Sequence, residues 1–397
     1  MNGPRRYAVA AGIVFDGSAT HRNAAVVVEG TRIVGLLPRS DLPGDMDVRQ
    51  LAAGKWLAPG FIDVQVNGGG DVLFNDAPTA ETIAAMIAVH RRFGTTSLLP
   101  TLMTDSGEKM RASVTSVEKM LEHEPGLLGI HLEGPFLSPE KRGVHDPGFI
   151  RKPAPADIEL LLGSRRGLLL VTLAPERVPT GFVRRLANSG ASIALGHSMA
   201  TYEEARAAMA EGLTGYTHLF NAMRPLSSRD PGPIAAALES DQAWFGMILD
   251  GFHVHPAMLR LALRGRSHPI LVTDAMPPVG GRQTSFQLYH QEIRAVEGRC
   301  LRADGALSGA LLDMAAAVRN CVSLLQTSLE DALRFASRNP AEFLGLGHML
   351  GKLAPGYRAD MVALDPQTLS IEATWVAGSS REGDEVKKRP PISFDMT

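Results

Sequence analysis

Apolar runs of strand length alternate with longer segments of helical periodicity through the middle of the chain. We predict eight strands, which cover residues 61–66, 96–101, 127–133, 168–173, 192–197, 215–218, 245–250 and 269–274. The clearest helices between them cover residues 80–93, 107–122, 180–188, 202–211 and 256–263. Strands that are apolar throughout and alternate with helices are typical of βα units around a parallel sheet that is buried on both faces.

The number of these units favours one fold class. Eight βα units indicate an α/β protein with a (β/α)8 TIM-like barrel, and an open, doubly wound sheet is the alternative that the pattern leaves open. Short β-rich runs broken by Gly, Asp and Pro occupy residues 7–56 and return at 359–365, so we expect both chain ends to build one β domain. Residues 280–307 are predicted to be an irregular insertion that could act as a lid.

Composition narrows the functional classes. The chain has 397 residues, of which 45% are hydrophobic and 21% charged, as in ordinary globular proteins. Its net charge of −2 makes a nucleic-acid partner unexpected. Cys300 and Cys321 form no CxxC pair, which favours a reducing compartment. The apolar run 7–15 is too short to span a membrane and no cleavage site follows it, so we expect a cytoplasmic protein without a membrane partner.

Polar and ionisable side chains end several of the predicted strands. They are His131, Glu133, His197, His218, Asp250, His253 and Asp274. A capping box, Thr201 to Glu204, begins a helix just after His197 and so places that histidine at the carboxyl end of its strand. Carboxyl ends of barrel strands meet at one face, where barrel enzymes carry out their chemistry, and these side chains should therefore converge.

One carboxylate and two imidazoles, with water in an open position, form the ligand set expected for catalytic zinc. Each residue alone is also explained as a satisfied core or surface group. The occurrence of several such residues at corresponding positions of successive βα units favours a site, because buried charges need partners. Six other histidines have no such placement, and we expect them to be core or surface groups: His21, His90, His123, His268, His290 and His348.

Several segments carry a family resemblance. They are Pro59-Gly60-Phe61-Ile62-Asp63, His131-Leu132-Glu133-Gly134-Pro135-Phe136, Gly196-His197-Ser198, Thr217-His218-Leu219-Phe220-Asn221-Ala222-Met223, Asp250-Gly251-Phe252-His253 and Val272-Thr273-Asp274-Ala275. The chain resembles the N-acetylglucosamine-6-phosphate deacetylases of the amidohydrolase superfamily. The resemblance implies a metal-dependent barrel at residues 58–351 and a small β-sandwich domain formed by residues 1–57 and 352–397.

The resemblance also implies residue roles. Glu133, His197 and His218 would bind the catalytic metal, and Asp274 would transfer protons. His145 would contact the acetyl carbonyl. The residues that would hold the sugar 6-phosphate are Asn221, the backbone of Ala222, Arg229 and His253. In relatives the arginine comes from a neighbouring subunit, which would make the protein a homodimer.

One departure bears on the metal count. Many amidohydrolases have His-x-His at the end of the first strand, where this chain has Gln65-Val66-Asn67. Neutral amides bind transition metals more weakly than imidazole, so we predict one functional divalent ion per subunit, with zinc as the first expectation and iron, manganese or cobalt as alternatives. Gln65 and Asn67 are then expected to be hydrogen-bonding residues.

The predicted reaction is the hydrolysis of N-acetylglucosamine 6-phosphate to glucosamine 6-phosphate and acetate. A metal-activated water would attack the amide, with Asp274 as general base and then general acid. Two alternatives stay open. Another N-acetyl sugar or a cyclic amide could be the substrate, or the barrel could be a binding protein without activity.

Overall fold

The eight central strands form one parallel sheet in which neighbours along the chain are neighbours in space. The computed structural model describes residues 5–163 and 165–382. Barrel strands one to eight are Phe61–Val66, Thr95–Met103, Gly129–Glu133, Leu168–Leu173, Ser192–Leu195, Gly215–Tyr216, Trp244–Ile248 and His268–Val272. Their apolar side chains are buried, as the continuous apolar runs predict.

The sheet closes between its first and last strands. Val66 and Ala275 form an isolated parallel bridge across the gap. The Asp274 N–H donates to the Gln65 carbonyl at 3.0 Å, and the Asn67 N–H donates to the Ala275 carbonyl at 3.0 Å. The barrel prediction is therefore confirmed, and the open-sheet alternative is excluded.

Strands five to eight each end two residues before the predicted position, at residues 195, 216, 248 and 272. The cause is visible in the backbone. Beyond strands five, six and eight, His197, His218 and Asp274 have φ values of 49°, 31° and 50°, and beyond strand seven Gly251 has a φ of 83°, so the chain turns away from the ladder in a left-handed conformation. L-residues adopt this conformation at a cost, and such strain often marks a functional site.

Helices surround the barrel. The α-helices among the described residues are Ala80–Arg91, Gly107–Met120, Pro155–Leu162, Phe182–Asn188, Tyr202–Ala210, Gly232–Glu239, Pro256–Ala262, Met314–Leu325, Leu329–Ala336 and Arg338–Phe343. Short 3-10 turns lie at Arg39–Asp41, Pro139–Lys141 and Pro175–Arg177. The predicted capping box is present, with Glu204 N–H donating to Thr201 Oγ1 at 3.1 Å. Over the described ranges, no helix combines the length and apolar character that a membrane crossing requires.

The two chain ends share a second eight-stranded sheet. Its strands are Arg6–Phe15, Thr20–Glu29, Arg32–Pro38, Val48–Gln50, Trp56–Pro59, Met361–Leu364, Ile371–Val376 and Ser379–Glu382. Leu57, Met361 and Trp375 lie in its apolar core. The expected β domain from both ends is thus confirmed. Its boundaries stay a prediction, and residues 1–4 and 383–397 lie outside the described residues.

The predicted insertion is a four-stranded antiparallel sheet, formed by Ser285–Leu288, Gln291–Val296, Arg299–Leu301 and Leu307–Ala310. A small hairpin, Gly68–Gly69 with Val72–Leu73, follows the first barrel strand. Three residues at the barrel mouth pack in one apolar cluster with Phe286 and Ile293 of the inserted sheet: Leu73 of the hairpin, Met103 at the end of strand two and Met276 beyond strand eight. The inserted sheet therefore rests on the loops beside the barrel mouth, and its role as a lid stays a prediction.

Candidate active site

Glu133, His197 and His218 meet at the barrel mouth. Glu133 ends strand three, and the two histidines lie just beyond strands five and six. The His218 Nε2 and His197 Nε2 atoms lie 3.1 Å and 3.3 Å from Glu133 Oε1. The two Nε2 atoms are 3.2 Å apart, and the potential ligand atoms of all three residues lie within 4.8 Å of one another. The three side chains are buried and form one compact donor set.

The chemistry of this donor set fits a divalent cation. His197 Nδ1 donates to the Lys141 carbonyl at 2.8 Å, which fixes the ring with Nε2 toward the centre as the nitrogen available to a cation. Burial by itself raises the pKa of Glu133, but the hydrogen bonds from His197 and His218 hold it well below its usual range. Two imidazole nitrogens 3.2 Å apart beside a carboxylate match the ligand set of a divalent cation.

Asp274 lies next to this centre and is held by two amides. Its Oδ1 accepts hydrogen bonds from Asn67 Nδ2 at 2.6 Å and from Gln65 Nε2 at 3.2 Å. The same Gln65 nitrogen donates to Glu133 Oε1 at 3.1 Å. Burial and the negative charge of Glu133 raise the pKa of Asp274 to about 6. A carboxyl group with such a pKa can both take and release a proton near neutral pH.

His145 reaches the same centre from the loop after strand three. Its Nε2 is 3.8 Å from Glu133 Oε2, and its ring packs edge-on against His197 with centroids 4.4 Å apart. The Thr104 N–H donates to His145 Nδ1 at 3.2 Å, so the hydrogen of the neutral ring is on Nε2. Burial lowers the pKa of His145 to about 3. His145 is therefore a neutral hydrogen-bond donor that faces the centre.

The residues expected at the sugar phosphate lie farther out. Asn221 Nδ2 donates to the His218 carbonyl at 3.1 Å, and Ala222 has a left-handed backbone with φ 48°. His253 pairs with Asp250 at 2.6 Å. Arg229 lies in the exposed stretch 225–229 and contacts no other described residue through a hydrogen bond or an ion pair. Within one subunit, Arg229 makes no contact with the candidate metal site formed by Glu133, His197 and His218.

His131 does not join the centre, although it ends the same strand as Glu133. Its Nδ1 lies 3.1 Å from Thr101 Oγ1, and its Nε2 lies 2.8 Å from Thr172 Oγ1. Both ring nitrogens are thus hydrogen-bonded to threonine hydroxyls inside the barrel. Burial lowers the pKa of His131 to about 4. His131 therefore lies near enough to feel the charges of Glu133, His197 and His218, but it offers them no free ring nitrogen, because its nitrogens face threonines of strands two and four.

The sequence did not predict two residues that hold the site in place, Thr104 and Tyr289. Thr104 holds His145 by its N–H, and its side chain donates to the Glu133 carbonyl at 3.1 Å. Tyr289, in a turn of the inserted sheet, donates to the Thr104 carbonyl at 2.5 Å. A backbone donor has no sequence signature, and the position of Tyr289 depends on how the inserted sheet docks. Neither contact was visible in the pattern of residues.

A closed (β/α)8 barrel with Glu, His and His at its mouth and an aspartate beside them defines a metal-dependent hydrolase. The chain belongs to the amidohydrolase family, whose model matches residues 56–387. It is 42% identical over 372 residues to N-acetylgalactosamine-6-phosphate deacetylase from Shewanella sp. (strain ANA-3), covering 92% of this chain and 93% of the relative. The family resemblance is thereby confirmed.

Solved structures share the fold of this protein over nearly the whole chain. The N-acetylglucosamine-6-phosphate deacetylase from Pasteurella multocida has a TM-score of 0.92 at 33% identity and covers 96% of this chain and 100% of its own. A mutant N-acetyl-D-glucosamine-6-phosphate deacetylase from Mycobacterium smegmatis, in complex with N-acetyl-D-glucosamine-6-phosphate, has a TM-score of 0.85 at 34% identity. It covers 94% of this chain and 99% of its own.

Proposed function

We propose that this protein hydrolyses the N-acetyl group of N-acetylglucosamine 6-phosphate, giving glucosamine 6-phosphate and acetate. The observation that carries the proposal is the convergence of Glu133, His197 and His218, with Asp274 linked to Glu133 through Gln65. The solved relative in complex with N-acetyl-D-glucosamine-6-phosphate shares the fold over 94% of this chain. Metal-dependent amide hydrolysis is the chemistry that such a carboxylate and donor set can perform.

Glu133, His197 and His218 would hold one divalent ion. Bound there, the ion would polarise the amide and lower the pKa of a water ligand to about 7. Zinc is the metal we propose, since the ligands are one carboxylate and two imidazoles. A second ion is not expected, because the amide hydrogens of Gln65 and Asn67 are directed at carboxylates. Iron, manganese and cobalt can use the same ligands.

Asp274 would take the proton of the attacking water and deliver it to the departing amine nitrogen. Gln65 and Asn67 keep its Oδ1 occupied, which fixes the orientation of the carboxyl group for this transfer. His145 would donate its Nε2 hydrogen to the acetyl oxygen as negative charge develops there. A preorganised donor at this position contributes about 3 kcal/mol to catalysis.

The sugar phosphate would be held by Asn221, the Ala222 backbone, Arg229 and His253. The structure supports a subunit-bridging role for Arg229, because it is exposed and without a partner among the described residues of its own chain, while Leu226 of the same loop is 45% exposed. We propose a homodimer in which this loop reaches the neighbouring site. We also propose a cytoplasmic location, which buried free Cys300 and Cys321 fit.

A second candidate substrate is N-acetylgalactosamine 6-phosphate. The Shewanella relative with that activity in its name is 42% identical, whereas the Haemophilus influenzae N-acetylglucosamine-6-phosphate deacetylase is 33% identical. The two sugars differ only in the configuration at C4. The acetamide and phosphate contacts proposed above serve either sugar.

An acetate-release assay tests the proposal. The purified protein is supplied with both 6-phosphorylated N-acetyl sugars and with unphosphorylated N-acetylglucosamine, and metal is quantified per chain. We expect the highest kcat/KM with N-acetylglucosamine 6-phosphate and about one ion per chain. A higher kcat/KM with the galactosamine epimer would reassign the substrate. No acetate from any of the three would favour a cyclic amidase or a binding protein.

A further inference from the structure

Asp250 and His253 form a buried hydrogen-bonded pair just beyond strand seven, and neither belongs to the candidate metal site of Glu133, His197 and His218. Asp250 Oδ2 accepts a hydrogen bond from His253 Nδ1 at 2.6 Å, and the two side chains are only 5% and 8% exposed. Asp250 Oδ1 accepts the N–H groups of Phe252 and His253, each at 2.9 Å. The two oxygens of Asp250 thus have separate tasks: one shapes the loop, and the other holds the imidazole.

His253 has one hydrogen-bonding atom left. Its Nε2 has no hydrogen-bond partner among residues 5–163 and 165–382, and this atom is open to solvent. Because Nδ1 donates to Asp250, the Nε2 atom of a neutral ring would be an acceptor and would repel a phosphate oxygen. The ring can donate to phosphate through Nε2 in this orientation only as an imidazolium.

We propose that Asp250 is a positioning residue for phosphate recognition, which orients His253 and balances its positive charge so that Nε2–H faces the substrate phosphate. This inference rests on the proposed function and deepens it. Burial by itself raises the pKa of Asp250, but the hydrogen bond and charge of His253 hold it below its usual value, so the partner of the imidazole is a carboxylate.

The surroundings of the pair favour a cation at this position. Asp274 lies across the mouth, and His253 is among the charges that act on it. Arg299 of the inserted sheet lies over the Phe252 ring, 5.2 Å from its centroid, and is paired with Glu297 at 2.7 Å. The charge of Arg299 is thus already compensated. Within residues 250–254 of the loop, the imidazole of His253 is the group left to meet an anion.

The Asp250→Asn variant separates the two tasks. Asn keeps an oxygen for the two backbone N–H groups, but its NH2 now faces the ring and makes Nδ1 an acceptor, so the ring becomes neutral. Charge-assisted hydrogen bonds are roughly twice as strong as neutral ones, and we expect KM for the 6-phosphorylated sugar to rise roughly tenfold with kcat nearly unchanged. Binding of glucosamine 6-phosphate, measured by calorimetry, should weaken by a similar factor, and that of glucosamine should not.

Asp241→Asn is the matched control. Its carboxylate is 64% exposed, it pairs with Arg266 at 3.0 Å, and it lies just before strand seven. We expect wild-type KM and kcat from this variant. Circular dichroism and metal content of each variant report whether the fold is kept.

A second variant tests whether Asp250 acts through His253. In a His253→Gln background, Asp250→Asn should have no further effect on KM, because the charge that it supports is already gone. If His253→Gln raises KM and the double variant raises it by a further factor of ten, Asp250 does not act through the histidine. An unchanged KM in Asp250→Asn, or an equal loss with phosphorylated and unphosphorylated ligands, would also overturn the proposal. A wild-type protein that releases no acetate would instead refute the proposed function.

Discussion

The contact between Asp63 and Thr273 joins the two barrel strands that share no ladder. Asp63 Oδ2 accepts a hydrogen bond from Thr273 Oγ1 at 2.5 Å, and Oδ1 accepts the N–H groups of Gln65 at 3.2 Å and Thr273 at 3.3 Å. Both side chains are fully buried. Thr273→Val keeps the shape of the side chain but removes the hydroxyl, and we expect it to weaken the closure of the barrel.

The free energy of unfolding that Thr273→Val loses depends on pH. Burial raises the pKa of Asp63 to about 7, although the hydrogen bonds from Thr273 oppose this rise. The native state therefore holds its proton more tightly than the unfolded chain, and wild-type stability falls as pH rises toward 7. Above pH 7 the variant leaves a charged carboxylate without its hydroxyl donor, at a cost of about 2 kcal/mol, whereas near pH 5 the acid is neutral and the cost is about 1 kcal/mol.

Thermal unfolding measures this difference. At about 2.1 cal/mol/K per residue, the chain has an unfolding entropy of roughly 0.8 kcal/mol/K, so Tm should fall by about 2.5 °C at pH 8 and by about 1 °C at pH 5. Thr273→Ser keeps the hydroxyl, and its Tm deficit should depend little on pH. Two results would contradict this reasoning: a Tm of Thr273→Val equal to that of the wild type at pH 8, or a larger fall in Tm at pH 5 than at pH 8. Either would show that the Asp63 carboxylate does not stabilise the contact between the two strands.

Other predictions follow from the same site. Asp274→Asn should lower kcat by about 10²- to 10⁴-fold with metal content and fold retained, and undiminished turnover would remove its role in proton transfer. Arg229→Ala should lower kcat/KM for the 6-phosphorylated sugar, and an unchanged value would refute its contact with phosphate. Chelation of the metal should abolish turnover and lower Tm, since a ligand at 100 times its Kd contributes about 2.7 kcal/mol, and zinc should restore both. Gly134→Ala should unfold at a lower temperature, because Gly134 has φ 93° and a Cβ there would lie 2.1 Å from Thr104 Oγ1.

The barrel and its polar rim could be predicted from the residues, because strand-length apolar runs repeat between helices and several of the runs end in an ionisable residue. Glu133, His197, His218 and Asp274 were found in this way, since parallel strands bring their carboxyl ends to one face. His145 lies in a loop and came only from the family resemblance. Helices such as Pro155–Leu162 and Gly232–Glu239 were missed, because no distinct 3.6-residue pattern marks them.

The strand pattern and the types of side chain at the strand ends are local properties of the chain, and the sequence by itself determined them. The orientation of those side chains is a tertiary property. His197, His218 and Asp274 bend into the mouth with positive φ values that no residue type demands. His131 has the same chemistry and lies on the same strand as Glu133, yet the threonines around it commit it to the barrel interior. Only the packed barrel decided which imidazole meets the carboxylate, because that choice depends on contacts between strands far apart in the chain.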